Sequence, residues 1–276
     1  MALKLIHLTD IHLTAPGSTI AGRDPNANFE KALAHILADH ADADLMVITG
    51  DLSDWGDLDD YRRLRERLAG FPLETRLCIG NHDDRPRFLE VFPELADENG
   101  FVQGVADVAG HRCLFLDTAE AGTHAGRYCQ TRRAWLAARL DEHDGPFVLF
   151  MHHHPIPAHL GAIDRIRLLD DVEFRALVGG RRAAIRHIFF GHCHLPLAGS
   201  CAGIPTTSLR GTNHAGFPLF SETALLVGSD LPEAYGVAFL DETSTTVVTV
   251  EYGHTGEIRI EGSPDWTTWD RATMTR

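Results

Sequence analysis

Five short clusters of side chains able to bind metal ions recur along this chain. They are Asp10-Ile11-His12, Gly50-Asp51, Gly80-Asn81-His82-Asp83, His152-His153-His154 and Gly191-His192-Cys193-His194. Their donor types run Asp, His, Asp, Asn, His, His and His. That set suffices for two metal ions if one carboxylate is shared between them. Two ions roughly 3.5–4 Å apart form a clamp for displacement at phosphorus. A lone D-x-H or H-x-H is commonplace and means little. The weight comes from five such groups in order, each following a short apolar run that reads as a strand.

Residues 3–9 alternate and end at Asp10, and residues 44–49 form an apolar run ending at Gly50-Asp51. Residues 73–79 lead to Gly80-Asn81, residues 146–151 to His152, and residues 185–190 to Gly191. Between the first three runs lie two helical patterns. In residues 28–40, Phe29, Leu33, Ile36 and Leu37 form one face; in residues 57–69, Leu58, Tyr61, Leu64 and Leu68 are in register. A short helix is expected after Pro86. This β-α-β-α-β order predicts a largely parallel α/β layer. Residues 101–109 and 112–117 flank Gly110-His111 as a hairpin would, and helices are expected over 131–141 and 172–178. Beyond Leu195 the chain reads as mostly β, over 195–201, 205–209, 234–240 and 245–251. Residues 211–232 lack periodicity and read as an ordered loop near the site or part of a subunit contact. Strand side chains repeat every second residue. Asp10 and His12 are therefore expected on one side, as are His192 and His194, whereas His152 and His153 are expected to diverge.

The chain has 276 residues, 44 % of them hydrophobic, without low-complexity tracts. That composition is globular and long enough for a sizeable core. A single domain over 1–276 is expected, with 204–276 a β-rich part that completes the second of two sheets and supplies a subunit contact. No apolar run approaches the roughly 18 residues of a membrane span. The N-terminus enters a strand-like run directly, without the separate apolar core of a signal peptide. Five cysteines at irregular spacing suggest no disulfide framework and suit a reducing cytoplasm. A formal charge of −14 disfavours binding along a long nucleic acid. A small anion is still acceptable where bound cations dominate the local field.

The series Asp10-x-His12, Gly50-Asp51-x-x-Asp54, Gly80-Asn81-His82-Asp83, His152-His153 and Gly191-His192-Cys193-His194 resembles the calcineurin-like metallophosphoesterase superfamily over residues 3–195. The Gly80–Asp83 stretch and the Gly-His-x-His ending are its most specific parts. The compact size and the stretch Phe150-Met151-His152-His153-His154-Pro155 resemble the bacterial class III cyclic-nucleotide and glycerophosphodiester phosphodiesterases. The resemblance implies a four-layer αββα sandwich of two mixed sheets flanked by helices. The β-α-β-α-β opening would supply one sheet, and residues 101–117 with the C-terminal strands the other. It also implies that Asp10, His12 and His194 hold one divalent ion, that Asn81, His152 and His192 hold a second, and that Asp51 bridges them. Mixed oxygen and nitrogen donors suit Mn, Fe, Zn or Co without selecting one.

His82 would face the substrate, protonating the leaving alkoxide or donating to a phosphoryl oxygen. Aligning on Phe150-Met151 makes His152 the ligand, while counting back from Pro155 would choose His153. His152 is favoured, with His154 pointing near the substrate. Asp54 would orient a histidine or cap a helix, and Asp83 would brace its loop. His214 would either reach the pocket or lie in a surface loop. Cys193 would point into packing. His35, His40, His143 and His254 read as surface residues.

The function expected is hydrolysis of small phosphodiesters, either 3′,5′-cyclic nucleotides or glycerophosphodiesters, by in-line attack of a metal-bound hydroxide. A phosphomonoesterase or nucleotide pyrophosphatase of the same superfamily is the alternative. A non-catalytic scaffold would have lost ligands, and all seven positions are filled. Recognition of the leaving group is expected from loops at 15–28, 160–167 and 211–220. A homodimer follows only by analogy with the similar phosphodiesterases.

Overall fold

The chain opens with β1 (Leu3–Leu8), α1 (Pro25–His40), β2 (Leu45–Thr49), α2 (Leu58–Ala69), β3 (Thr75–Cys78) and α3 (Arg85–Val91). It continues with β4 (Gly104–Val108), β5 (His111–Phe115), α4 (Gln130–Asp141), β6 (Phe147–Phe150), α5 (Gly161–Asp164), α6 (Asp171–Gly180) and β7 (Ile185–Phe190). The remaining strands are β8 (Leu197–Cys201), β9 (Ile204–Ser208), β10 (Ala215–Gly216), β11 (Gly228–Ser229), β12 (Tyr235–Leu240) and β13 (Thr245–Val250). This computed structural model describes residues 2–259.

Local chemistry sets these elements. All five residues of β2 are buried, as expected of a β-branched and apolar run covered on both faces. α1 starts where the Asp24 carboxylate accepts from the Ala27 N–H, with Pro25 in the first turn. Gly110, in the left-handed region, turns the β4–β5 hairpin.

The strands form a five-stranded sheet, ordered β13-β12-β1-β2-β3, and a six-stranded sheet, ordered β4-β5-β6-β7-β9-β8. Alternate side chains divide the core into three layers. Ile6, Leu8, Met46, Ile48 and Leu77 pack with Phe29, Ile36, Tyr61 and Leu64 of the first helices. Leu5, Val47, Phe115, Val148, Phe150 and Phe189 fill the space between the sheets. Leu114, Leu149 and Ile188 pack with Trp135, Leu136, Phe174 and Val178. The result is the helix–sheet–sheet–helix sandwich with mixed sheets.

One expectation needs correcting. The strands after Ile204 do not all complete the second sheet. β9 joins it beside β7, but β12 pairs antiparallel with β1, and β13 extends the first sheet beyond β12. The physical reason lies in both partners. β1 would otherwise be a bare edge, and β12 is apolar on both faces: Val237 meets the helix layer and Ala238 the inter-sheet layer.

Candidate metal centre

The seven donors lie just past the C-terminal ends of strands from both sheets. Asp10 and His12 follow β1, Asp51 follows β2, Asn81 follows β3, His152 follows β6, and His192 and His194 follow β7. Strand alternation does not set their orientation, because they lie beyond the strand ends. Five of the seven have left-handed backbone: Asp10 (φ 54°), His12 (45°), Asp51 (50°), His192 (71°) and His194 (51°). Non-glycine residues in that region are strained, and such strain collects at functional sites. The turns are held by neighbouring strand ends: the Asp10 N–H donates to the Gly50 carbonyl (3.1 Å) and the His12 N–H to the Asp51 carbonyl (2.8 Å).

Two glycines make room for the donors. A Cβ on Gly80 would lie 2.2 Å from Asp51 Oδ1 and 2.7 Å from His152 Cε1. A Cβ on Gly191 would lie 1.8 Å from Thr9 Oγ1 and 2.9 Å from Asp10 Oδ2.

The four histidines share one arrangement. Each spends one ring nitrogen on an outer acceptor and turns the other inward. His12 Nδ1 donates to Asp54 Oδ1 (3.0 Å), His152 Nδ1 to the Thr49 carbonyl (2.7 Å), His192 Nε2 to the Ile166 carbonyl (2.9 Å) and His194 Nδ1 to the His214 carbonyl (2.9 Å). Such outer partners fix the tautomer of metal-binding imidazoles. The inward atoms then face one another. Nε2 of His12 and Nε2 of His194 are 3.3 Å apart; Nδ1 of His192 and Nε2 of His152 are 3.2 Å apart. Asn81 Oδ1 is 3.1 Å from His152 Nε2. Lone pair facing lone pair is repulsive unless a proton or a metal ion sits between them. Asp51 Oδ2 lies between the two sets, 3.7 Å from His12 Nε2 and 3.4 Å from His152 Nε2. Asp10 Oδ1 is 3.3 Å from His194 Nε2. The donor set and its tautomers therefore fit two cations that share Asp51.

The charges agree. Burial raises the cost of ionising Asp10 and Asp51, yet His194 and His152 beside them hold both carboxyls below the usual range. Burial opposes a charge on His152 and His194, but Asp51 lifts His152 to about 9 and Asp10 raises His194, so each carboxylate draws a proton that a bound metal ion would displace. His12 and His192 are pushed down by burial and stay neutral, the form that binds metal.

A cavity of about 460 Å³ opens over these residues. His12, Asp51, Asn81, His192 and His194 line its polar side, with Ile163, Ile166, Leu226 and Val227 opposite. Of the three loops expected to recognise the leaving group, 160–167 and 211–220 contribute lining residues and 15–28 contributes none.

The calcineurin-like phosphoesterase profile matches residues 3–196, the stretch that supplies every one of these donors. The chain belongs to this family. A probable cyclic nucleotide phosphodiesterase of Rhodopseudomonas palustris is 37 % identical over 240 residues, covering 84 % of this chain and 86 % of that protein. A glycerophosphodiester phosphodiesterase of Enterobacter lignolyticus is 31 % identical over 198 residues, covering 70 % of this chain and 71 % of that protein. Among solved structures, the purple acid phosphatase of yellow lupin seeds superposes with a TM-score of 0.64 at 12 % identity. That likeness covers 92 % of this chain and about half (52 %) of the lupin chain, and it speaks for the fold alone.

Other residues in this phosphoesterase take clear places. His82 Nδ1 donates to the Asp54 carbonyl (2.8 Å), leaving Nε2 as its remaining ring nitrogen, and His82 lines the cavity. Asp54 orients His12 and does not cap α2, whose N-cap is Asp57. Asp83 braces two loops by accepting from the N–H groups of Gly80, Leu52 and Ser53; burial, then the Asp51 charge, raises it to about 6. The His152/His153 alternation holds: His152 faces Asp51, while His153 Nδ1 is 2.8 Å from Thr118 Oγ1. His153 still comes within 4.8 Å of the His152–His192 pair.

His154 departs from expectation. It is buried against Phe190 and His192, with neither ring nitrogen bonded, and does not line the cavity. His214 does line it, 4.2 Å from His194 between ring centroids. Cys193 packs inward with its sulfur 3.0 Å from Ser208 Oγ. His143 and His254 are exposed, but His35 and His40 are half-buried: His35 bonds the Tyr235 hydroxyl (2.8 Å) and His40 packs on its ring. They are covered because β12 lies beside β1. Sequence reasoning missed His124. Its Nδ1 accepts from Asn81 Nδ2 (2.9 Å), which keeps Asn81 Oδ1 turned inward. His124 follows no strand, so no pattern announced it.

Proposed function

We propose that the chain is a dinuclear-metal phosphodiesterase acting on small diesters, either 3′,5′-cyclic nucleotides or glycerophosphodiesters. The observation that carries this reading is the placement of Asp51 Oδ2 between two inward-turned imidazole sets, with His82 beside them. Asp10, His12 and His194 would hold one divalent ion and Asn81, His152 and His192 the other, with Asp51 shared. Mn, Fe, Zn and Co all suit these donors. When bound, the two ions supply Lewis-acid charge at the phosphoryl oxygens and make water acidic enough to act as a nucleophile near neutral pH. The remaining work falls to the chain. The backbone N–H of His82 steadies Asp51 Oδ1 (2.9 Å). Protonated at Nε2, the His82 ring delivers a proton to the departing alkoxide. The apolar wall from Ile163 to Val227 excludes water from the organic part of the diester.

Names of the relatives support diester substrates, and the acidic charge of −14 argues against long nucleic acids. Five unpaired cysteines suit the cytoplasm, where we place the protein. No described helix is long and apolar enough to cross a membrane. A homodimer is proposed from the exposed Phe217, Phe220 and Leu225 on the segment between β10 and β11, and light scattering checks it. The function is tested by metal-reconstituted turnover of bis-p-nitrophenyl phosphate, p-nitrophenyl phosphate, cyclic AMP and glycerophosphoethanolamine. Diesters should be preferred; a higher kcat/KM for the monoester overturns the reading and favours a phosphatase.

A further inference from the structure

A second cavity, of about 310 Å³, meets the first at His82. Trp55 and residues 83–86 and 119–122 wall it, and Asn81 and His82 line both cavities. A diester seated over the centre therefore has room for an organic group on each side of phosphorus. Resting on the diesterase reading above, we propose that this second cavity receives the leaving alcohol and that Trp55 is its stacking platform. The alcohol it selects is uncharged and aromatic, a nucleoside or a phenol, which makes acyclic aryl and nucleoside diesters a substrate class beside those proposed above.

Trp55 is 77 % exposed, although an indole gains from burial. Its ring stands edge-on to His82, with centroids 6.4 Å apart. The loop beneath it is tied down. The Trp55 backbone N–H donates to Ser53 Oγ (3.4 Å), and that hydroxyl donates to Asp60 Oδ2 (2.6 Å). The next residue, Gly56, has φ 65° and lies so close to Asp84 that a Cβ would come within 2.7 Å of it. Its carbonyl accepts from Arg87 (3.2 Å). A fixed loop thus presents a bare indole beside the proton donor.

The walls define what stacks there. Asp84 and Glu120 bring carboxylates to the cavity, Glu120 paired with Arg132 (3.1 Å), whereas the Asp83 carboxylate is turned away onto the N–H groups of Gly80, Leu52 and Ser53. Arg85 is its one guanidinium among the described lining residues, and it is taken by Asp117 (2.6 and 2.9 Å) and the Ala119 carbonyl (2.6 Å). A second phosphate would find the Asp84 carboxylate and, among the described lining residues, no free cation. An uncharged ring finds an aromatic face, a contact worth on the order of ten-fold in affinity per base.

The test uses the manganese-reconstituted full chain with Trp55→Ala and Trp55→Phe. The alanine variant should raise KM about ten-fold for bis-p-nitrophenyl phosphate and for a dinucleoside monophosphate, with kcat changed less than about two-fold. Phenylalanine should restore most of the loss. Glycerophosphoethanolamine, whose leaving alcohol is aliphatic, should be unaffected. Binding of adenosine to metal-free protein, followed by saturation-transfer NMR, needs neither metal nor turnover. It should be seen in the parent and lost in Trp55→Ala. Unchanged KM values, a KM rise common to all three diesters, or adenosine binding that survives Trp55→Ala overturns the platform. If the parent turns over no diester, the diesterase reading falls, and the adenosine measurement alone decides the subsite.

Discussion

Replacing His82 by alanine should lower kcat by about 10²–10⁴-fold on substrates with alkyl leaving groups. That is a loss of roughly 3–5 kcal/mol in transition-state stabilisation. The structure says which parts of the site survive. The contact that steadies Asp51 comes from the His82 backbone N–H (2.9 Å), which alanine keeps. Among the described residues the ring is bonded only through Nδ1, to the Asp54 carbonyl, and packs edge-on to His12 (centroids 4.8 Å apart), so alanine removes that packing but none of the hydrogen bonds that fix the donors. Metal content should therefore stay near that of the parent. The loss should depend on the leaving group, because an alkoxide needs a proton as the P–O bond breaks and p-nitrophenolate does not. For bis-p-nitrophenyl phosphate only about ten-fold should be lost, the worth of one hydrogen bond to a charged group. Steady-state kinetics on that ester and on glycerophosphoethanolamine, with elemental analysis of the same samples, makes the comparison. An equal loss on both substrates would mean that His82 steadies phosphoryl oxygens and donates no proton. Loss of bound metal would refute both roles.

Three further outcomes follow from the same geometry. Asp51→Asn should weaken both ion sites together, since one carboxylate oxygen faces both imidazole sets; two tightly bound metals and normal turnover in that variant would exclude a bridge. Gly80→Ala places a Cβ within 2.2 Å of Asp51 Oδ1 and 2.5 Å of Asp51 N, so the loop must move. It should lose metal and about 1–3 kcal/mol of stability, and a melting temperature and metal content like the parent's would contradict the packing. Burial pushes His187 down to about 4. The unfolded chain then takes up this proton first as pH falls, so stability is full above about 6.5 and declines towards pH 4, by about 3 kcal/mol for this group. Urea midpoints at pH 7 and pH 4.5 should differ less in His187→Gln, and identical differences in both proteins would rule this out.

The strands that carry the donors were legible because each is an apolar or alternating run that stops at a polar residue or glycine (Asp10, Gly50, Gly80, His152 or Gly191), a pattern that survives without any knowledge of partners. The donors themselves were legible for the same reason. Their orientation was not. Alternation along a strand would set Asp10 beside His12, but β1 ends at Leu8 and the donors sit on left-handed turns fixed by the neighbouring strand end. Residues that act by long-range contact left little trace. His124 reaches Asn81 from a loop, and His154, read as facing substrate, is turned into the core by its packing on Phe190. The destination of β12 was hidden because an apolar strand fits either sheet, and only the vacant edge of β1 decides between them.

That pairing ties β1 to a strand far along the chain, β12. Asp10 and His12 hang from β1, and β1 gains its second neighbour only when Tyr235–Leu240 has been synthesised. Contacts so distant in sequence form slowly, and an unpaired strand edge invites association with other chains. A nascent chain halted before Tyr235 should therefore be cut readily by protease around β1 and become resistant once β13, ending at Val250, has emerged. Resistance already present in the shorter chain would show that β1 folds without β12. With β12 required, a product terminated before Tyr235 cannot assemble a working centre, and hydrolytic activity itself reports that translation ran past β12.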